Sequence, residues 1–159
     1  MKFATYAAAL ALLAFSSAGQ TAPSPFSDLK AFQGLENGLW QWRFTTQPRQ
    51  PAIPDRDDRG CVNIARYMER AMQEIQKNAP QCVIQVQRDT PEQAELSSQC
   101  PAMQIMPGLA LPPMQIRYLV QRLGKNDVQV EAIAPNFLTG MGNITFLHQA
   151  QRLGACPRQ

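Results

Sequence analysis

The sequence has little of the chemistry that most enzymes use. It contains a single histidine, His148, in 159 residues. It has no Cys-x-x-Cys pair, no Gly-x-Ser-x-Gly turn and no glycine-rich phosphate loop, which are signatures of thiol–disulfide oxidoreductases, serine hydrolases and nucleotide-binding enzymes. We therefore predict no enzymatic activity and no cofactor. An enzyme of unrecognised type is the alternative, and it would need a carboxylate within hydrogen-bond reach of His148.

Strong charge of either sign is also lacking. The formal net charge is +3, and it would fall to +2 if the N-terminal segment that carries Lys2 were removed. Arginines are scattered along the chain rather than clustered. A balance this mild does not indicate binding to nucleic acid or to an anionic membrane surface.

Long apolar runs are missing everywhere except at the N-terminus. There, Lys2 precedes the apolar stretch 3–15, and the small residues Ser16-Ser17-Ala18 follow it. This order is typical of a signal peptide, which we predict over residues 1–18 with cleavage after Ala18. Cleavage after Ala22 is the second possibility, although it would put Gln20 where a small residue is preferred.

The predicted signal peptide places the mature chain in the periplasm or outside the cell. Its apolar run is shorter than the about 20 residues that span a bilayer, so a retained membrane anchor is the less favoured alternative. No cysteine precedes Cys61, so the N-terminus of the mature chain has no residue to be lipidated. We expect no transmembrane segment in the mature protein.

All four cysteines lie in the predicted exported part, and an even number there indicates two disulfides. The stretch from Cys82 to Cys100 consists of two strand-like segments joined by a polar turn at 89–92. Folded as an antiparallel hairpin, it places its two terminal cysteines opposite each other on one face. We therefore predict the bridge Cys82–Cys100, which leaves Cys61–Cys156 as the second.

The pattern of apolar residues predicts a mainly β fold. Six segments have the alternation of strands: 39–46, 82–88, 94–100, 114–123, 128–134 and 143–153. One amphipathic helix is predicted over about 63–78, with Asn63 as its N-cap. We expect a five- to six-stranded antiparallel curved sheet or partial barrel covered by this helix, with residues 38–159 as one disulfide-stapled domain. Residues 19–37 would form a leader and a short helix or turn. The proline-containing segments 47–60 and 101–113 are predicted as loops.

Aromatic residues supply the first candidate binding site. Trp40, Trp42 and Phe44 alternate along the first strand, so they share one face, and Tyr118 lies on the apolar face of a later strand. Such residues form either a core or the wall of a pocket for an apolar ligand.

Methionines supply the second candidate site. Met103, Met106 and Met114 lie in or beside the proline-rich segment 101–113. Thioether sulfur binds soft metals such as copper, so the cluster is a candidate copper site. Methionines that fill gaps in a core, or an apolar loop that contacts a partner, are the alternatives.

Two short motifs at opposite ends of the predicted domain indicate a family. Gly38-Leu39-Trp40 opens the first strand, and Arg152-Leu153-Gly154-Ala155-Cys156 closes the last. With four spaced cysteines, the chain resembles the domain of unknown function 3617 family of small exported proteins from Gram-negative bacteria. The resemblance implies a small antiparallel β-domain with a signal peptide, and it indicates nothing about activity, substrate or cofactor. The chain departs from the family pattern at Asn37 and Gln41, and in a longer helix between its first two cysteines.

Together these features predict an exported, non-catalytic module that binds a small apolar ligand or a protein partner. The aromatic set would form the site. Periplasmic copper handling by the methionines and an unrecognised enzyme are the alternatives.

Overall fold

The computed structural model describes residues 26–106, 109–136 and 139–157. The predicted signal peptide 1–18 and the first part of the leader, 19–25, lie outside these residues. The described chain is mainly β, with one α-helix and two disulfides, as predicted. Two short 3-10 turns, Phe26–Asp28 and Lys30–Phe32, precede the first strand and fulfil the expectation of a short helix or turn.

Nine strands are present in the described residues, and seven of them form one antiparallel sheet. The strands are β1 Gly38–Gln47, β2 Arg56–Val62, β3 Val83–Asp89, β4 Gln93–Cys100, β5 Met103–Met106, β6 Leu109–Leu111, β7 Met114–Arg122, β8 Asp127–Pro135 and β9 Asn143–Gly154; the helix α1 spans Ile64–Asn78. The order of strands in the sheet is β2-β1-β9-β8-β7-β4-β3. Strands β5 and β6 form a separate hairpin.

The sheet has one strand more than the five or six predicted, because part of the segment 47–60 is a strand rather than a loop. Strand β2 lies after the last of the three prolines and pairs with β1 from Gly38↔Val62 to Phe44↔Arg56. Its first four residues are charged and most of the strand is exposed, so no apolar alternation indicated it. The hairpin of β5 and β6 likewise lies within the predicted loop 101–113.

The core lies between one face of the sheet, called here the inner face, and the helix with the two 3-10 turns. Alternate strand residues point to the same face, and the inner residues of the central strands are buried: Ala94, Leu96, Tyr118, Val120, Val128 and Val130. Helix α1 contributes Ile64, Met68 and Met72, and the turns contribute Phe26, Leu29 and Phe32. The helix begins as predicted, because the side chain of Asn63 accepts a hydrogen bond from the amide of Arg66 at 2.9 Å.

Both predicted disulfides are present. Val83 pairs with Gln99, so Cys82 and Cys100 close the open end of the β3–β4 hairpin. The bridge Cys61–Cys156 joins residues 95 positions apart in the chain. It ties the end of β2 to the segment that follows β9, on the two sides of β1.

The two terminal motifs meet at the start of β1. Leu39 pairs with Cys61 on one side and with Gly154 on the other. The guanidinium of Arg152 donates hydrogen bonds to the carbonyl oxygen of Asn37 at 3.3 and 3.2 Å and forms an ion pair with Glu36 at 3.0 Å. Residues far apart in sequence are therefore packed against one another at a single place.

In the described part of the chain, no helix is long and apolar enough to cross a membrane.

The close approach at the start of β1 generates a prediction. In Gly38→Ala, the new methyl group would collide with the backbone carbonyl oxygen of Gly154 and lie 2.7 Å from Nε of Arg152. Since that carbonyl belongs to the paired strand, we expect the free energy of unfolding to fall by about 1–3 kcal/mol, the usual cost of overpacking. Urea unfolding followed by circular dichroism measures it.

Gly124→Ala is the matched control. Its added methyl would have ordinary contact with a side-chain oxygen of Asp127 at 3.4 Å. We expect this variant to unfold at nearly the wild-type urea concentration. Equal stability of the two variants would contradict the packing described at Gly38.

Candidate functional site

The predicted aromatic set is divided between the core and a half-exposed surface. Trp40 has no exposed surface, and Tyr118 is 5% exposed. The indole Nε1 of Trp40 donates a hydrogen bond to the carbonyl oxygen of Glu36 at 3.2 Å. Tyr118 packs edge-on against Phe26, with ring centroids 5.6 Å apart, and burial raises its pKa to about 12. These two side chains are part of the core.

Trp42 and Phe44 belong to a strip of half-buried rings. Trp42 contacts Tyr67 of α1 with centroids 4.7 Å apart. Phe44 contacts His148 at 4.7 Å and stacks with Phe146 at 6.3 Å. We call the five side chains, Trp42, Phe44, Tyr67, Phe146 and His148, the aromatic strip. Each of them is partly exposed.

The strip is formed by neighbouring strands and the helix above them. Phe44 of β1 pairs with His148 of β9, and Thr46 pairs with Phe146, so the strand rings share the inner face. On the other side of β1, Phe44 pairs with Arg56 and Trp42 with Asp58. The strip is thus bordered by one basic and one acidic side chain of the edge strand β2.

The strip itself carries no charge at neutral pH. Burial lowers the pKa of His148, so its imidazole is neutral. Burial raises the pKa of Tyr67, the nearby negative charge of Asp58 raises it further, and Arg56 opposes the change. The strip therefore offers aromatic faces together with a neutral imidazole and a phenol.

His148 contacts an aromatic ring rather than a carboxylate. Within the described ranges, no hydrogen bond or ion pair joins it to an acidic side chain. The acid–base arrangement that the enzyme alternative requires is therefore not formed around His148 in this part of the chain.

Two of the three predicted methionine ligands come together. Met103 and Met114 line a cavity of about 60 Å³, and Met72 of α1 lines it as well. The side chain of Met106 lies outside the described residues. The disulfide Cys82–Cys100 forms part of the wall, and Sγ of Cys82 lies 4.0 Å from Sδ of Met103. A disulfide sulfur has no proton to donate, so this is a van der Waals contact.

Met72 was missed as a site residue because its helical spacing marked it as core. The signal that could have identified it is its place in the last two turns of α1, close in sequence to Cys82. A helix that ends just before a cysteine brings its last turns near the disulfide of that cysteine.

The outer face of the sheet carries a group of glutamines that was not predicted from the sequence. Gln149 of β9 donates to the paired Gln129 of β8 at 2.9 Å, and Gln129 donates along its own strand to Glu131 at 2.8 Å. Two open depressions of about 240 and 500 Å³ lie on this face. The signal that could have identified this group is the recurrence of glutamine at alternate positions of the strands. Such amides can hydrogen bond to any polar partner, so they do not specify one.

Metal ligands of the common kinds do not converge in the described part of the chain. No group of three or more residues among histidine, cysteine, aspartate and glutamate is placed there so that it could hold a metal ion.

The burial of His148 generates a prediction about pH. Its pKa is below 6.5 in the folded protein and near 6.5 in the unfolded chain. As pH falls through 6.5, the unfolded chain takes up the proton first, so the free energy of unfolding decreases. We expect His148→Phe to remove this loss, and urea unfolding from pH 8 to pH 5 measures it.

His148 is the only histidine, so all other titrating groups are shared by the two proteins. Above pH 7.5 the difference in the free energy of unfolding between wild type and variant should be constant. Below pH 7.5 the free energy of unfolding of the wild type should fall relative to that of the variant. Parallel pH profiles across the whole range would show that His148 is not buried as described.

No family model matches the chain, and no curated protein matches it. Among solved structures, a redesigned β-barrel is similar at 10% sequence identity, over 78% of this chain and 96% of that chain, with a TM-score of 0.29.

Proposed function

We propose that the protein is an exported, non-catalytic binding module that holds a small apolar ligand on the aromatic strip. The observation that carries the proposal is the incomplete burial of five neighbouring rings, four on the inner face of the sheet and one on α1. Sites for small ligands are lined mainly by aromatic and apolar side chains with few polar groups, and the strip has that composition.

The chemistry of the strip specifies the ligand further. Phe44 and Phe146 stack with an angle of 14° between their planes, which favours a flat ligand. The neutral imidazole of His148 and the phenol of Tyr67 supply hydrogen-bonding groups at the strip. The proposed ligand is therefore planar and uncharged, with a hydroxyl or carbonyl group. An aromatic side chain of a protein partner has the same chemistry and is an outcome of the test.

The proposed location is the periplasm or the outside of the cell, after removal of residues 1–18. Two disulfides support it, because such bonds persist in oxidising compartments.

Membership of the domain of unknown function 3617 family is proposed as well. The meeting of Gly38 with Gly154 supports this membership, because it gives one packing reason for both motifs that carry the resemblance.

The uncharged fluorescent probe N-phenyl-1-naphthylamine tests the proposal. We expect its fluorescence to rise saturably with the wild-type protein. Phe44→Ala together with Phe146→Ala should weaken binding by about tenfold or more, since a loss of about 1.4 kcal/mol of contact corresponds to tenfold. Leu123→Ala is the control, because Leu123 is 60% exposed and lies with Gln41 and Gln149 on the outer face.

Tryptophan quenching reports the same site independently. Trp42 is partly exposed and Trp40 is not, so acrylamide should quench Trp42, and Trp42→Phe should leave an emission that acrylamide barely reduces. Saturating probe should protect Trp42. Equal probe affinity in the wild type and the folded double variant, or unchanged quenching of Trp42 with probe bound, would refute a ligand site on the strip. If a peptide rich in aromatic residues protects Trp42 while the probe does not, the occupant is a protein partner.

A further inference from the structure

The cavity beside the disulfide Cys82–Cys100 is a second site with different chemistry. We propose that it binds one soft monovalent cation, Cu(I) or its analogue Ag(I), through the thioether sulfurs of Met72, Met103 and Met114. None of these residues belongs to the aromatic strip, so the proposal does not depend on the ligand proposed there.

Three separate elements bring the methionines to one cavity. Met114 of β7 pairs directly with Cys100 of β4, and Met103 begins β5 three residues after that cysteine. Met72 comes from α1 on the opposite side and is 4% exposed. The disulfide fixes the end of the β3–β4 hairpin and thereby the wall against which Met103 rests.

The size of the cavity decides between an organic ligand and an ion. Its volume is about 60 Å³. An engineered apolar cavity that holds benzene has about 150 Å³. An organic ring does not fit without displacing the lining side chains, whereas a single ion does.

The lining selects the kind of ion. Apart from the sulfur-containing residues, it consists of Ala79, Ile84, Ile116, Tyr118 and the two neutral polar residues Gln76 and Ser98. Calcium and magnesium require several oxygen ligands that usually include carboxylates, and no carboxylate lies in this wall, while thioethers favour soft ions such as Cu(I). The cost of burying an ion rises with the square of its charge, so a monovalent ion is favoured in an uncharged wall.

The helix adds an electrostatic reason. Gln76, from the last turn of α1, and Ala79, just beyond its end, line the cavity, and the C-terminal end of a helix carries partial negative charge. Met103 and Met114 are partly exposed, so movement of one flexible side chain opens a path from solvent.

Titration with silver nitrate in chloride-free buffer tests the site, on protein with both disulfides intact and no thiol titratable by Ellman's reagent. Isothermal calorimetry should give one Ag(I) per chain. Met72→Leu, Met103→Leu and Met114→Leu combined should weaken the affinity by about 100-fold or more, because leucine conserves volume while removing sulfur. Cu(I) can be generated with ascorbate, and its affinity can be measured by competition with bicinchoninate. The triple variant should bind Cu(I) more weakly than the wild type, as it does Ag(I).

Three controls make the result specific. Met68→Leu with Met141→Leu removes one core and one 80% exposed methionine outside the cavity, and this variant should bind as the wild type does. Met106→Leu should also retain binding, and loss of binding in that variant alone would overturn the assignment. Zn(II) binding that the triple variant abolishes would contradict the selection of a soft monovalent ion.

Methyl NMR of the wild type covers the case in which the triple variant does not fold. With ¹³C-labelled methionine methyl groups, Ag(I) should shift three resonances, assigned by the single variants to Met72, Met103 and Met114. The resonances of Met68 and Met141 should not move. Binding of Ag(I) without shifts of the three methyl groups, or equal affinity in the wild type and the folded triple variant, would refute the site.

Discussion

The pairing of β1 with two neighbours at Gly38 is the constraint on which the rest of the structure depends. There β1 meets β2 on one side and β9 on the other, and Cys61–Cys156 joins the segments across it. This register places Trp40 in the core and Trp42 at its margin. A slip of one residue would turn every side chain of β1 to the opposite face. Such a shift would also bring a residue with a side chain to the place of Gly38, where its Cβ would collide with the carbonyl oxygen of Gly154.

The sequence predicted those parts of the fold that have a simple period or a covalent restraint. Alternation of apolar residues identified six strands, and helical spacing identified α1. The symmetry of one hairpin identified the bridge Cys82–Cys100, and elimination then left Cys61–Cys156. Strand β2 was missed because it is held by backbone pairing to β1 while its charged side chains face water. Apolar periodicity arises from the burial of one face, so it does not indicate a strand that buries few side chains.

The candidate sites were predictable only as residue types. Alternation placed Trp40, Trp42 and Phe44 on one face, but how far each is buried depends on where α1 and the 3-10 turns cover that face. The same holds for the methionines, because Met72 reaches the cavity only through the position of α1 above the sheet. Tertiary packing therefore decides which member of an apolar row lies in the core and which remains available to a ligand.

Helix α1 connects the two proposed sites, since Tyr67 near its start contacts Trp42 and Met72 lies two turns from its end. Between them, Met68 packs into the core. The bridge Cys82–Cys100 has a further chemical consequence at the second site. Oxidation removes two thiols, which would otherwise be strong ligands for zinc as well as copper, and leaves thioethers, which bind soft monovalent ions selectively. A structural disulfide thus sets both the geometry of the proposed site and its preference among metals.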